Sequence, residues 1–218
     1  MAAELQPPRV SNPGAPGAAP IDFYFDFISS YGYVASLRIE AIAARHGRSV
    51  NWHCMLLGVA VMKVMGLKPL LETPLKGDYV RRDLPRYARR HGLALAREVS
   101  DPMMDPRPAA RAFCWVKRHY PGHEGAFAHE VFDRYWRLGR DLSSSDELAA
   151  TAGALGFDGA ALRQGIDSEE ARTDLRAAVA ASLERGVFGS PFVFVDDEPF
   201  WGSDRLEQVE DWLARGGW

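Results

Sequence analysis

The spacing of hydrophobic positions changes within residues 21–47, and the change predicts a strand that runs directly into a helix. Residues 21–27 are a short run of mostly aromatic and β-branched side chains, as expected for a buried strand. Ser29 or Ser30 can cap the helix, after which apolar residues alternate with charged ones to about Gly47. A side chain at this junction lies at the positive end of a helix, where an anion is stabilised.

A second pattern, near the other end of the chain, combines a glycine-rich turn, a proline and a strand in residues 186–195. A short segment that ends at Trp201 follows it, and residues 202–204 open a last helix over residues 205–215. Strand, helix and strand at the start, with a proline-led hairpin and a helix at the end, predict an α/β thioredoxin-like fold.

Residues 58–185 separate these two halves and show mostly helical patterns. Helices are expected over about 79–91, 105–120, 123–138, 158–164 and 168–185, and residues 143–147 are expected to cap a further short helix. Pro85 should kink the first of these helices or mark its true start. We therefore expect a thioredoxin-like domain of residues 21–57 and 186–218, with a large all-helical insertion and a ligand cleft between the two. The proline-rich residues 1–20 are expected to be a mobile tail.

Composition excludes several classes of protein. The net charge of −3 argues against a nucleic-acid binder, and no apolar run is long enough to span a bilayer. The first residues lack the basic start and apolar core of a signal peptide, so a cytoplasmic protein is expected. Among the histidines, residues 121–122 break the helix between His119 and His123, and we expect no metal site.

The two cysteines, Cys54 and Cys114, form no Cys-x-x-Cys motif. We expect them to be too far apart to form a redox pair, although the fold pattern is one that redox proteins use. Any thiol chemistry would then need a thiol that arrives with a cofactor, which suggests a small thiol such as glutathione.

Three separated motifs, in order, resemble the 2-hydroxychromene-2-carboxylate isomerases. They are DFIS at residues 26–29, GVFGSP at residues 186–191 and FWGSDRL at residues 200–206. That family belongs with the kappa-class glutathione transferases and the periplasmic disulfide oxidoreductases, and the resemblance covers residue 21 to the end. One departure is Ser30, which stands where the family usually has a proline after its catalytic serine.

The resemblance implies that Ser29 is catalytic and donates a hydrogen bond to the thiolate of bound glutathione. The alternative role for Ser29, and the favoured one for Ser30, is a plain helix cap. The resemblance also implies that the peptide bond before Pro191 is cis, so that the main chain of Ser190 faces the cysteinyl part of glutathione. Without the resemblance, a trans proline that starts a strand is the expected form.

At the last helix, the resemblance implies recognition of the γ-glutamyl end of glutathione. Asp204 would pair with its ammonium group, and Ser203 with nearby amides, including that of Gly202, would take its carboxylate. Trp201 would form a wall of the cleft, with a position in the core as the alternative. Simple capping by Ser203 or Asp204 is the alternative.

Two further residues are assigned to binding by the same resemblance. Lys63 would bind the glycyl carboxylate of glutathione or the carboxylate of a substrate, unless it merely extends from a helix to water. Asp105 lies where the family often has an asparagine facing the substrate, and a helix cap is its alternative role.

The implied function is glutathione-dependent isomerisation of a 2-hydroxychromene-2-carboxylate-like aromatic acid, by reversible thiolate addition. A kappa-like glutathione transferase that conjugates electrophiles is one alternative, and a non-catalytic binding module on a redox-type scaffold is another. The sequence leaves the oligomeric state open, a homodimer included.

Overall fold

The structure is a computed structural model that describes residues 18–218, so the predicted tail lies outside the described residues except for its last three. Its sheet has four strands: β1 (Ile21–Phe25), β2 (Val50–Cys54), β3 (Phe192–Val195) and β4 (Glu198–Trp201). Their order is β2-β1-β3-β4, with β1 parallel to β2 and the other pairs antiparallel. The two ends of the chain therefore meet in one sheet, as the thioredoxin-like prediction requires.

Helix α1 (Ser30–Arg45) makes the crossover between the parallel strands β1 and β2. β1 ends at Phe25 rather than at residue 27, so the turn into α1 starts two residues earlier than the apolar run suggests. The carboxyl end of β1, the start of α1 and the turn before β3 consequently lie at one edge of the sheet.

The chain between β2 and β3 is helical, as predicted. A π-helical segment (Gly58–Val64) and a 3₁₀ turn (Leu70–Glu72) precede α2 (Lys76–Arg90), α3 (Pro106–His119), α4 (Glu124–Phe132), a second π-helical segment (Asp133–Arg137), α5 (Ser145–Ala154), α6 (Gly159–Ile166) and α7 (Glu169–Glu184). A 3₁₀ turn (Ser203–Arg205) and α8 (Leu206–Arg215) end the fold. Among the described residues, no helix is both long and apolar enough to cross a membrane.

Pro85 does not mark the start of a helix, because α2 begins at Lys76 and runs through it. Pro85 and Arg81, whose carbonyl loses its amide donor, are both exposed, so the missing hydrogen bond lies on the solvent side of the helix, which lowers its cost.

The insertion shares its core with the sheet. Phe25 of β1 packs against Phe113 of α3 and Phe132 of α4, at ring-centroid distances of 5.1 and 5.4 Å. The indole N–H of Trp136, which is fully buried, donates a 3.0 Å hydrogen bond to the carbonyl of Phe27. Because one buried apolar cluster contains side chains of both parts, the helices and the sheet hold each other in place.

Candidate active site

Ser29 lies where β1 turns into α1 and is the N-cap of that helix. Its backbone is extended (φ −88°, ψ 109°), and its hydroxyl accepts a 3.0 Å hydrogen bond from the amide of Gly32. The same hydroxyl donates a 2.8 Å hydrogen bond to the carbonyl of Ser190. The positive end of α1 and the turn before β3 are thus joined through one nearly buried side chain.

The turn before β3 is fixed to the same junction by a second hydrogen bond. The amide of Asp26 donates to the hydroxyl of Ser190 over 3.0 Å. The family resemblance implies a cis bond at Pro191, and in the structure the Ser190–Pro191 bond is cis. Ser29 and the main chain of Ser190, which the resemblance assigns to one ligand, therefore lie in direct contact.

Gly32 is a residue of this junction that sequence reasoning missed. A Cβ atom at this position would lie 2.9 Å from the hydroxyl oxygen of Ser190 and 3.0 Å from the Cβ of Ser29. Both distances are too short for ordinary contact, so the first turn of α1 approaches the Ser190 turn this closely only because residue 32 has no side chain. The signal in the sequence for this close approach was a glycine in the first turn of a predicted helix.

Ser30 is the first residue of α1 and is buried as deeply as Ser29. The capping hydrogen bond nevertheless belongs to Ser29, whose hydroxyl receives the Gly32 amide. The structure thus identifies Ser29 as the cap of α1, where the sequence left Ser29 and Ser30 as alternatives.

Asp26 is the second residue that sequence reasoning missed, although it belongs to the first motif. Its carboxylate is almost completely buried and accepts hydrogen bonds from the amides of Leu57 (2.7 Å) and Ile28 (3.2 Å). Burial raises the pKa of Asp26 to about 6, against the lowering effect of those two amides. One carboxyl group thereby ties the segments that follow β1 and β2 together.

The segment after β4 borders the same turn. The amide of Gly202 donates a 3.1 Å hydrogen bond to the carbonyl of Pro191, and Gly202 has a φ of 115°, which favours glycine. Ser203 is buried, whereas Asp204 is exposed and forms a 3.5 Å ion pair with Arg205. The structure therefore places the predicted γ-glutamyl-binding residues next to the Ser190 turn, with the Asp204 carboxylate facing solvent.

Trp201 stands over the glycine-rich turn with 56% of its surface exposed. Its ring packs edge-on against Phe188 at a centroid distance of 4.8 Å. A Cβ atom at Gly189 would lie 2.3 Å from the indole nitrogen, so the ring rests on a position that must remain glycine. This arrangement is consistent with Trp201 as an open wall of a cleft.

Helix α2 of the insertion reaches this edge of the sheet through two tyrosine hydroxyls. Tyr31, in the first turn of α1, donates a 2.6 Å hydrogen bond to Asp83, and Tyr87 donates a 3.0 Å hydrogen bond to the carbonyl of Ser203. Burial, together with the bond to Asp83, raises the pKa of Tyr31, so its hydroxyl stays a donor at neutral pH. The insertion is therefore attached on both sides of the predicted site.

Lys63 and Asp105 lie outside this set of contacts. Lys63 is exposed on the π-helical segment after β2, and within residues 18–218 it forms no ion pair. Asp105 is the N-cap of α3, accepts the amide of Arg107 at 3.0 Å and pairs with its guanidinium group at 2.6 Å. The capping alternative for Asp105 is therefore observed, and a substrate would have to share that carboxylate with Arg107.

The expected separation of the two cysteines is wrong. The sulfur atoms of Cys54, at the end of β2, and Cys114, in α3, are 3.4 Å apart. The hydrogen bond with Cys114, together with burial, raises the pKa of the Cys54 thiol well above its usual range. Their distance in sequence was misleading because α3 packs beside β2.

Comparisons with known proteins agree with this architecture. Residues 20–214 match the family model described as a DSBA-like thioredoxin domain. A 2-hydroxychromene-2-carboxylate isomerase from Sphingobium xenophagum is 31% identical over 194 residues, which are 88% of this chain and 97% of that protein. A solved structure of a 2-hydroxychromene-2-carboxylate isomerase superposes with a TM-score of 0.77 at 28% identity, covering 89% of this chain and 94% of the other. Glutathione S-transferase kappa 1 from Rattus norvegicus is 24% identical over 91% of this chain and 95% of its own length.

Proposed function

This enzyme belongs to the DSBA-like thioredoxin domain family and, within it, to the 2-hydroxychromene-2-carboxylate isomerases, and from that premise we propose that it is a glutathione-dependent isomerase. Its substrate would be 2-hydroxychromene-2-carboxylate or a similar aromatic acid from aromatic catabolism. The observation that carries the proposal is the direct hydrogen bond between Ser29 and the carbonyl of Ser190, which joins two of the three motifs at the positive end of α1.

The donors at this junction suit a small thiol cofactor that carries charged ends. Ser29 offers a hydroxyl at a helix amino terminus, where a thiolate is stabilised. The exposed side chains of Asp204 and Lys63 offer charges for an ammonium and a carboxylate group. Glutathione, when bound, supplies the thiol nucleophile that adds reversibly to the conjugated acid and is recovered at the end.

Each residue then has a distinct role. Ser29 keeps the thiol ionised by a hydrogen bond, and the main chain of Ser190, turned by Pro191, pairs with the cysteinyl unit. At the γ-glutamyl end, Asp204 binds the ammonium group, and Ser203 and the Gly202 region receive the carboxylate. Trp201 covers the cleft. Lys63 binds a carboxylate, and Asp105 borders the substrate.

The hydroxyl of Ser29 has to change partner during this cycle. A serine carries a single donor hydrogen, which is directed at the carbonyl of Ser190 in the structure. When that hydrogen turns towards a thiolate, the Ser190 carbonyl becomes available to accept from the cysteinyl amide of the cofactor. One rotation therefore prepares both contacts at once.

The chain itself offers no thiol at the junction. Cys54 and Cys114 are buried against each other rather than beside Ser29. A thiol-dependent reaction at Ser29 therefore needs an external thiol, and the cytoplasm, where small thiols are kept reduced, is the compartment that we propose.

The deciding experiment follows isomerisation of 2-hydroxychromene-2-carboxylate by its change in absorbance, with protein freed of small thiols by gel filtration. We expect the rate enhancement to require added glutathione, S-methylglutathione to inhibit, and the glutathione concentration to stay constant over many turnovers. Turnover at full rate without any added thiol would refute the glutathione dependence.

A kappa-like transferase is the second candidate, favoured by the similarity to the rat kappa-class enzyme. The same assay separates the two, because conjugation consumes one glutathione for each product whereas isomerisation consumes none. A binding module would bind glutathione in a calorimeter and accelerate neither reaction.

A further inference from the structure

Two buried thiols lie side by side at a place that the proposed reaction does not use. Cys54 is 2% exposed and Cys114 is 8% exposed, and their sulfur atoms are 3.4 Å apart. A disulfide bond is about 2.0 Å long, so the sulfur atoms need to approach by only about 1.4 Å to form one. This pair of cysteines, which we call the β2–α3 dithiol, is already close to bonding distance.

The β2–α3 dithiol borders an open cavity of about 360 Å³. The cavity wall also includes Lys117 and Arg118, of which Arg118 is exposed, and it contains none of the residues proposed to bind glutathione. Cys114, the more exposed of the two, therefore borders a cavity that a small polar reagent can enter without passing the Ser29 junction.

The surroundings distinguish the two sulfur atoms. Cys54 shares a hydrogen bond with Cys114 and lies 3.9 Å from the carbonyl of Ala110, and the bond with Cys114 together with burial raises the pKa of its thiol. The ammonium group of Lys117 is held beside the cavity by hydrogen bonds to the carbonyl of Trp52 (2.6 Å) and the side chain of Asn51 (3.0 Å). Lys117 therefore places a positive charge on the wall of the cavity that the two thiols border.

We propose that the β2–α3 dithiol is a peroxide-sensitive site, at which hydrogen peroxide converts Cys54 and Cys114 into an intramolecular disulfide that fastens β2 to α3. This role is separate from the isomerisation proposed above. Intracellular disulfides of this kind are transient and sense redox conditions.

The chemistry takes two steps. The Cys114 thiolate attacks one peroxide oxygen, the O–O bond breaks, and the departing hydroxide takes up the proton lost by the thiol, leaving a sulfenic acid and one water. The sulfur of Cys54 then attacks the sulfur of Cys114, the S–O bond breaks, and the released hydroxide takes the Cys54 proton as a second water. Two thiols and one peroxide thus give one disulfide and two waters.

The test is simple because the chain has only two cysteines. Folded protein is treated with stoichiometric hydrogen peroxide, quenched with catalase, and examined by thiol titration, intact mass and non-reducing peptide mapping. We expect both thiols to disappear, the mass to fall by two hydrogens, and one peptide pair to join Cys54 to Cys114, with full reversal by dithiothreitol.

Single variants report the order of the two steps. Cys54→Ser should stop at a sulfenic acid on Cys114 that dimedone traps, whereas Cys114→Ser should react many-fold more slowly because Cys54 is shielded. If either variant fails to fold, the peptide map of the parent protein still decides the question. Sulfinic acid in place of the cross-link, a cross-link only between chains, or a cross-link formed only in urea would each overturn the proposal.

Discussion

The hydroxyl of Ser29 donates a 2.8 Å hydrogen bond to the carbonyl of Ser190, which lies 161 positions further along the chain. The same oxygen accepts the amide of Gly32, so one side chain both caps α1 and connects it to the turn before β3. A ligand that takes the donor hydrogen of Ser29 also frees the carbonyl of Ser190. Substitutions around this hydrogen bond therefore test the proposed chemistry most directly.

Ser29→Ala should raise the pKa of the thiol of bound glutathione. One charge-assisted hydrogen bond is worth about 1.5–3 kcal/mol, which corresponds to a rise of about one to two pKa units. The variant should still bind glutathione, with less thiolate absorbance at neutral pH and a slower reaction. Ultraviolet titration of the glutathione complex measures this pKa.

Ser30→Ala is the matched control, because Ser30 is equally buried but does not cap α1. Its thiol pKa and rate should stay close to those of the parent protein. A raised thiol pKa in Ser30→Ala together with a normal one in Ser29→Ala would show that Ser30, not Ser29, has the catalytic role.

Gly32→Ala should push α1 away from the Ser190 turn, since its new methyl group would lie 2.9 Å from the hydroxyl oxygen of Ser190. We expect weaker glutathione binding and a slower reaction, although alanine is the better helix former. Calorimetric titration with glutathione gives the change in dissociation constant, and circular dichroism confirms that the variant is folded.

Gly153→Ala provides the control for helix propensity. Gly153 lies in α5, where an added Cβ meets nothing within 4 Å. This variant should be more stable by about 0.5–1 kcal/mol and should bind glutathione as the parent does. Equal binding by both glycine variants would mean that close contact between α1 and the Ser190 turn is not needed for the ligand.

The parts of the fold that the sequence predicts well are local. The apolar run before Asp26, the serine cap of α1 and the proline turn at Ser190 each depend on a few neighbouring residues. The thioredoxin-like arrangement followed because these signals occur in a recognisable order at both ends of the chain.

The parts that were missed depend on distant contacts. The amide of Leu57 reaches the carboxylate of Asp26 because β2 packs beside β1, and no local pattern in the sequence encodes that packing. The contact between Cys54 and Cys114 likewise requires the position of α3. The early start of α2 follows Leu75, whose φ of 69° is unusual for a leucine and gives no signal in the sequence.

Both cysteines should be dispensable for isomerisation. In the double variant Cys54→Ser/Cys114→Ser, the two hydroxyl groups can hydrogen-bond to each other in place of the thiols, which limits the cost of burying them. We expect an unchanged rate with added glutathione, measured by the absorbance assay beside the parent protein. Loss of turnover in a variant that is still folded by circular dichroism would contradict an external thiol as the nucleophile.

Asp26→Asn should change how the free energy of unfolding depends on pH. Burial raises the pKa of Asp26 from its ordinary value of 3.8 to about 6 in the folded protein. Between these values the folded state keeps a proton that the unfolded state has lost, so the contribution of Asp26 to stability falls as pH rises from about 4 to 6. Above pH 6 the carboxyl is ionised in both states, and the full cost of burying the charge applies.

Asparagine keeps an acceptor for the amide of Leu57 but cannot ionise. The stability advantage of Asp26→Asn over the parent should therefore grow by about 2.4 kcal/mol between pH 4 and pH 7 and then level off. Urea unfolding at several pH values measures this difference. Subtracting the parent's values from those of the variant cancels the contribution of other carboxylates, such as Asp22. The pKa of Asp22 is lowered because hydrogen bonds from His53 and Arg185 outweigh burial. Asp197→Asn, at an exposed position, controls for the lost charge. A difference between Asp26→Asn and the parent that stays constant across this range would show that the Asp26 carboxyl titrates normally in the folded protein.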